Sequence, residues 1–148
     1  MTSADTTGLV PVTITGVEVK PDDGPGRGER FFILLEAAAD GDSRRLRIGV
    51  GDAEATALAL GTQGHVFPRP MTYQFMASLV AAAGSAVRSV RITRLADGIF
   101  YAQVMLRGGT LVDARPSDAI NLAAATGAPV FVAADLLEAR AEPREPAG

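Results

Sequence analysis

Two stretches of this 148-residue chain follow one pattern, from strand to acidic turn to an alanine-rich helix closed by glycine. The first is Arg47-Ile-Gly-Val-Gly-Asp-Ala-Glu-Ala-Thr-Ala-Leu-Ala-Leu-Gly61. The second is Asp113-Ala-Arg-Pro-Ser-Asp-Ala-Ile-Asn-Leu-Ala-Ala-Ala-Thr-Gly127. When Asp52 is set on Asp118, then Ala53, Ala57, Ala59 and Gly61 fall on Ala119, Ala123, Ala125 and Gly127. A repeated unit of this size cannot bury its apolar face alone, so the two copies are expected to cover one another.

The flanking sequence supplies strands for both units. Val10, Val12 and Ile14 alternate with polar or turn residues, and the apolar phase shifts after Gly16 as at a β-bulge. Phe31–Leu35 is apolar on both faces, the pattern of a central strand. Leu46, Ile48 and Val50 alternate with Arg45 and Arg47. Val90 and Ile92 alternate with arginines, Asp97-Gly98 is a hairpin turn, and residues 99–106 repeat the two-faced apolar pattern. Arg107-Gly-Gly-Thr110 predicts a second tight turn and Leu111–Ala114 a short strand. Helices are expected over Asp52–Leu60, capped by Asp52 and ended by Gly61 or Gly64, from Pro70 onward, and over Pro116–Thr126. The middle helix carries two apolar stripes, Met71/Phe75/Leu79/Ala82 and Tyr73/Met76/Val80/Ala83, and so is expected to pack on more than one side. Val130–Val132 reads as a strand and Asp135–Arg140 as a last helical turn.

Hairpin-paired strands with covering helices make the class α+β: a duplicated three-strand-plus-helix repeat, about 10–61 and 86–127, with mostly antiparallel sheets packed on central helices. The small alanines at 53, 57, 59 and at 119, 123, 124, 125 let backbones approach, placing those two helices at the centre. Residues 9–140 form one domain, 1–8 a loose tail and 141–148 a disordered one. Gly24-Pro-Gly-Arg-Gly is a flexible loop and does not match a phosphate-binding P-loop.

Composition narrows the chemistry. An apolar fraction of 47% supports a core, and 21% charged residues are ordinary for a soluble chain. There is no cysteine and one histidine, so thiol nucleophiles, disulfides and multi-histidine metal sites are excluded. The net charge of −3 argues against holding nucleic acid by bulk electrostatics, while leaving room for a local basic groove. No segment reads as a signal peptide or a membrane span, so the expectation is a cytoplasmic protein without membrane contact.

The richest candidate site is Asp113, Arg115, Ser117 and Asp118. Two carboxylates at a helix start can hold a hard cation, Mg or Mn, and a guanidinium can grip a phosphate in a forked geometry. Asp52 and Glu54 occupy the matching corner of the first unit and complete a carboxylate cluster if the corners meet. The same residues also suit plain helix starts, with acids complementing the helix dipole and Arg115 pairing with an aspartate. His65 beside Phe67 reads as an ordinary loop histidine. The arginines at 44, 45, 47, 88, 91 and 94 suit either a groove or solvated strand edges, and no organic cofactor motif is present.

At Val112-Asp-Ala-Arg-Pro-Ser-Asp-Ala-Ile-Asn-Leu-Ala and Thr126-Gly-Ala-Pro-Val-Phe-Val the chain resembles the bifunctional nuclease domain family. Ile48–Leu60, Arg69-Pro-Met-Thr and Asp97-Gly-Ile-Phe-Tyr-Ala support the resemblance, which spans roughly residues 10–140. It implies a duplicated α+β domain that cleaves DNA and RNA. The family often has a His-Asp pair after the second-helix motif, where this chain has Tyr73 and Gln74. From the charged helix starts, and not from the family, Asp113, Arg115 and Asp118 are the candidate catalytic residues, and Asp113, Asp118, Asp52 and Glu54 the candidate cation ligands. Other readings stay open: a non-catalytic homo-oligomeric scaffold or regulatory module, and a small-anion pocket between the two helix starts.

Overall fold

A computed structural model describes residues 8–22 and 28–139. The tails expected at 1–7 and 141–148, most of the glycine-rich loop at 23–27, and Arg140 lie outside the described residues. Seven strands form one sheet: β1 (Leu9–Pro21), β2 (Glu29–Ala37), β3 (Arg45–Val50), β4 (Val87–Ala96), β5 (Ile99–Leu106), β6 (Leu111–Ala114) and β7 (Val130–Ala133). Their order is β3-β2-β1-β7-β4-β5-β6, antiparallel at every step except the parallel β4–β7 pair. Three helices, α1 (Asp52–Thr62), α2 (Thr72–Ala82) and α3 (Pro116–Thr126), complete the α+β fold.

The strands follow from alternation and turn chemistry. β1 shifts register between Ile14 and Gly16, at the bulge its apolar phase predicts. The β4–β5 hairpin turns on Asp97 and Gly98, both at positive φ (52° and 76°), the conformation that an Asp-Gly pair tolerates best. Ile33 and Leu35, Ile48, Val90 and Ile92, Val104, and Val130 and Val132 point to one face and are buried there. Against that face lie Leu58 of α1 and Ile120 and Leu122 of α3. α3 packs over β4 and β5, α1 over β1 and β2, and α2 rests on α3.

The element order β-β-β-α occurs in each half, but the register of the two helices differs from the one the aspartates suggest. Both helices are 11 residues long. Counted from their first residues, Asp52 matches Pro116, an offset of 64 rather than 66. This register sets Glu54 on Asp118, buried Ala55 on buried Ala119, and buried Leu58 on buried Leu122. It also sets Thr62 on Thr126, whose hydroxyls donate to the carbonyls of Leu58 (2.9 Å) and Leu122 (2.8 Å). The alanine that α1 buries most deeply is therefore Ala55, while Ala53 is exposed.

Three further expectations are corrected. α1 is capped at Gly51 rather than Asp52, with no side-chain cap, and it runs through Gly61. α2 begins after Pro70 with Met71 as its cap, and it does not pack on several sides: Met71, Phe75 and Leu79 are exposed while Tyr73 is buried. The cause is its position, resting on α3 outside the sheet, which leaves its outer stripe uncovered. Residues 135–139 are not an α-helix; a 3-10 turn (Ala134–Leu136) leads to an extended Glu138 that pairs with Arg45 of β3. The strands of both halves lie in one sheet, because β7 inserts between β1 and β4 and joins them. No helix among the described residues is long and apolar enough to cross a membrane.

This packing makes a contrast testable by urea unfolding. Ile120→Ala, at a fully buried position, is expected to cost about 2–5 kcal/mol. Leu79→Ala, on the open stripe, is expected to stay within about 0.5 kcal/mol. Equal losses at the two sites would mean that the face assignment of α2 is wrong.

Candidate functional site

The starts of α1 and α3 meet at one corner, held by polar contacts between small helices. Asn121, buried on α3, donates through Nδ2 to the backbone carbonyls of Ser117 (2.9 Å) and, across the gap, of Glu54 (3.2 Å). Only helices with small contact residues come this near. The N-cap of α3 is Arg115 in an extended conformation, followed by Pro116 in the first turn, where its missing N–H costs nothing.

Arg115 turns back over the corner. Its Nε donates to Asp118 Oδ2 at 2.8 Å and its Nη2 to Asp118 Oδ1 at 3.1 Å, a forked guanidinium–carboxylate pair. The same Nη2 reaches Glu54 Oε1 at 3.3 Å. Asp118 and Glu54 are the third residues of their helices, so one cation bridges two equivalent acids. Gly51 makes room: a Cβ there would collide with the Glu54 carboxylate. Tyr73 of α2 donates its hydroxyl to Asp118 Oδ1 at 2.8 Å, tying the third helix to the corner.

These contacts set the protonation states. The Arg115 guanidinium holds the Asp118 carboxyl below the usual carboxylate range; partial burial opposes this and the Tyr73 hydroxyl adds to it. Burial, and then the hydrogen bond to Asp118, push the Tyr73 phenol well above its ordinary value. Arg115 is raised by its bonds to Asp118, yet its side chain remains 65% exposed. At neutral pH the corner is a fixed, outward-facing guanidinium between two carboxylates.

Two cavities meet there, and Asp52 and Arg115 line both. One, of about 930 Å³, opens over the start of β2, the end of β3 and the β4–β5 turn. The other, of about 600 Å³, lies between α1 and α2 and is also lined by Glu54, Tyr73 and Asp118. Asp52 keeps an exposed carboxylate, which accepts a hydrogen bond from the Thr56 hydroxyl at 3.2 Å. Asp113 takes no part in this network. It sits on β6 opposite Gln103, exposed, and lines neither cavity. His65 packs edge-on against Phe67. Of the arginines that suit either a groove or strand edges, Arg44 pairs with Asp42, Arg47 with Glu18, Arg94 lies over Tyr101, and Arg91 is buried.

The model of the bifunctional nuclease domain matches residues 33–145, more than half of the sequence. The chain belongs to the bifunctional nuclease domain family. Two Mycobacterium tuberculosis proteins, the uncharacterized proteins MT1877 of strain CDC 1551 and Rv1829 of strain H37Rv, are each 38% identical over 122 residues. The alignment covers 82% of this chain and 70% of each relative. Family membership thus rests on the segment that carries α1, α2, α3 and the corner they share.

For a member of this family the donor set tests the expected cation. Among the described residues no three carboxylate or histidine side chains gather closely enough to hold a metal ion. Both Asp118 oxygens are already engaged by Arg115 and Tyr73. The arrangement suits an anion at Arg115 better than a resident divalent ion at Asp118. Tyr73 was the residue that sequence reasoning missed. Its position suggested only the loss of a family histidine, whereas its hydroxyl bonds Asp118. Its place among apolar neighbours hid it.

Tyr73→Phe is expected to lower stability by about 0.5–1.5 kcal/mol at pH 7, the worth of one net hydrogen bond. Asp118 has a depressed folded-state pKa, so its stabilisation is present above the unfolded value of about 3.9 and is lost as pH falls through the folded one. The difference between Tyr73→Phe and the parent should therefore shrink in acid. A penalty independent of pH down to the acid transition would remove Asp118 as the acceptor that matters.

Proposed function

We propose that this chain hydrolyses phosphodiester bonds of nucleic acid at the corner of α1 and α3, acting in the cytoplasm. One observation carries the reading: the Arg115 guanidinium faces solvent while Asp118 and Glu54 fix it from behind, at the junction of two cavities. A guanidinium so held is preorganised for a phosphate oxygen and for the charge that builds on it in the transition state. Asp118 and Glu54 position it. Asp52, whose carboxylate is open to both cavities, is the group we assign to take the proton from an attacking water. The water oxygen bonds to phosphorus, the bond to one ester oxygen breaks, and solvent protonates the departing oxygen. Asp113 lines neither cavity and takes no part in these contacts, so it is given no role here. Among the described residues the corner holds no ready set of metal ligands, so the step is written without a divalent ion.

Arg115→Ala and Asp52→Asn are each expected to lower cleavage of labelled DNA and RNA by ~10²-fold or more, in keeping with the loss of one preorganised group. Asp118→Asn should lower it less, with circular dichroism unchanged. The activity should co-elute with the protein over two columns. Activity indifferent to both Arg115→Ala and Asp52→Asn sinks the assignment. Cleavage abolished by a chelator and restored by Mg or Mn would identify a cation that enters with the substrate phosphates.

A second reading has its own support. α2 carries no charged residue, and Met71, Phe75 and Leu79 form an exposed apolar stripe on it. Such a face suits a second copy of the chain and a non-catalytic, self-associating module. Sedimentation of the parent and of Phe75→Glu decides it: a dimer lost in the variant, with no cleavage by either, favours this reading.

A further inference from the structure

We propose that the larger cavity is a binding site for unpaired nucleotides, so that the polynucleotide reaching the corner is single-stranded there. The inference rests on the reading that this protein acts on nucleic acid, and it adds Arg30, Arg47 and Phe32, which that reading does not use. Three guanidiniums line the cavity from three separate elements: Arg30 on β2, Arg47 on β3 and Arg115 at the start of α3. Against them stand two carboxylates, Glu29 and Asp52. The lining thus holds three guanidiniums against two carboxylates on a chain whose net charge is −3. Arg30 makes no ion pair among the described residues. Arg47 shares its charge with Glu18 at 3.1 Å.

The floor of the cavity is aromatic. The Arg30 and Arg47 guanidiniums lie 5.4 and 5.5 Å from the centre of the Phe32 ring. Across the β2–β3 pairing, Phe32 faces Gly49, which offers no side chain to cover it. Phe100 lines the far wall, and Ile99, 58% exposed at the hairpin turn, overhangs it. Aromatic rings and guanidinium planes are the surfaces on which splayed bases stack. A volume of about 930 Å³ lies near the top of the range for small-ligand pockets, about 300–1,000 Å³. A duplex could offer phosphates to the arginines, but its stacked bases would leave the aromatic floor unused. Only an unpaired strand satisfies both halves of the lining.

The test is fluorescence anisotropy with the full chain, using a nuclease-resistant phosphorothioate 12-mer of thymidine and a hairpin duplex of matched length. The single strand is expected to bind at least tenfold more tightly than the duplex. With three phosphate contacts, log K should fall against log salt with a slope of about −2, from roughly −0.7 per contact on single strands. Arg30→Ala should flatten that slope by about 0.7 and, like Phe32→Ala, weaken binding at least fivefold. Arg30 lies on the surface, so its variant reports on binding even if Phe32→Ala folds poorly. Duplex binding equal to or tighter than single-strand binding, no binding of either probe, or an unchanged affinity in Arg30→Ala overturns the inference. Selective single-strand binding without any cleavage leaves it standing and removes the nuclease reading. Cleavage that persists with no strand preference does the reverse.

Discussion

The corner depends on a local balance of charge. Two helix starts lie side by side, each carrying roughly half a positive charge from its unpaired N–H groups. Arg115 adds a full positive charge. Left alone, this arrangement would push the helices apart. Glu54 and Asp118, the third residue of each helix, supply two negative charges at the same spot. The sum comes close to neutral, and the two helices can touch through Ala55, Ala119 and Asn121. The core beneath, built from Leu58, Ile120 and Leu122 against the sheet, requires the helices to be that close. Charge balance and hydrophobic packing thus impose the same geometry.

Much of this was legible in the residues. Alternation gave the strands, Asp97-Gly98 the hairpin, and Pro116 the start of α3. The meeting of the two helix starts was legible from their shared composition. The register was not. Matching identical residues pairs Asp52 with Asp118, because Asp-Ala recurs and catches the eye. Burial pairs Glu54 with Asp118, because packing selects the turn of the helix on which a side chain sits, whatever acid it bears. Asp113 is close to Arg115 along the chain, yet it sits on β6 opposite Gln103 and lines neither cavity at the corner.

Other features lay beyond any local pattern. The apolar stripe of α2 is indistinguishable in sequence from a core stripe, because periodicity reports which residues share a face and not what covers it. The arginines at 30 and 47 were weighed as loose basic residues or overlooked. Their convergence on Phe32 needs the pairing of β2 with β3, which brings Arg47 and Gly49 beside that ring. Tyr73 was hidden in the same way, as an apolar-looking member of a helix whose hydroxyl finds its partner 45 residues further on.

β7 has a consequence for how the molecule comes to exist. It is four residues long, follows α3, and among the described residues is the one strand that lies between β1 and β4 in the sheet. During synthesis the first three strands are finished while the place beside β1 is still empty. The first half therefore waits with an open backbone edge until the chain's later part arrives, and loop-closure entropy must be met before that seam forms. One short segment thus joins two hairpin layers into a single sheet.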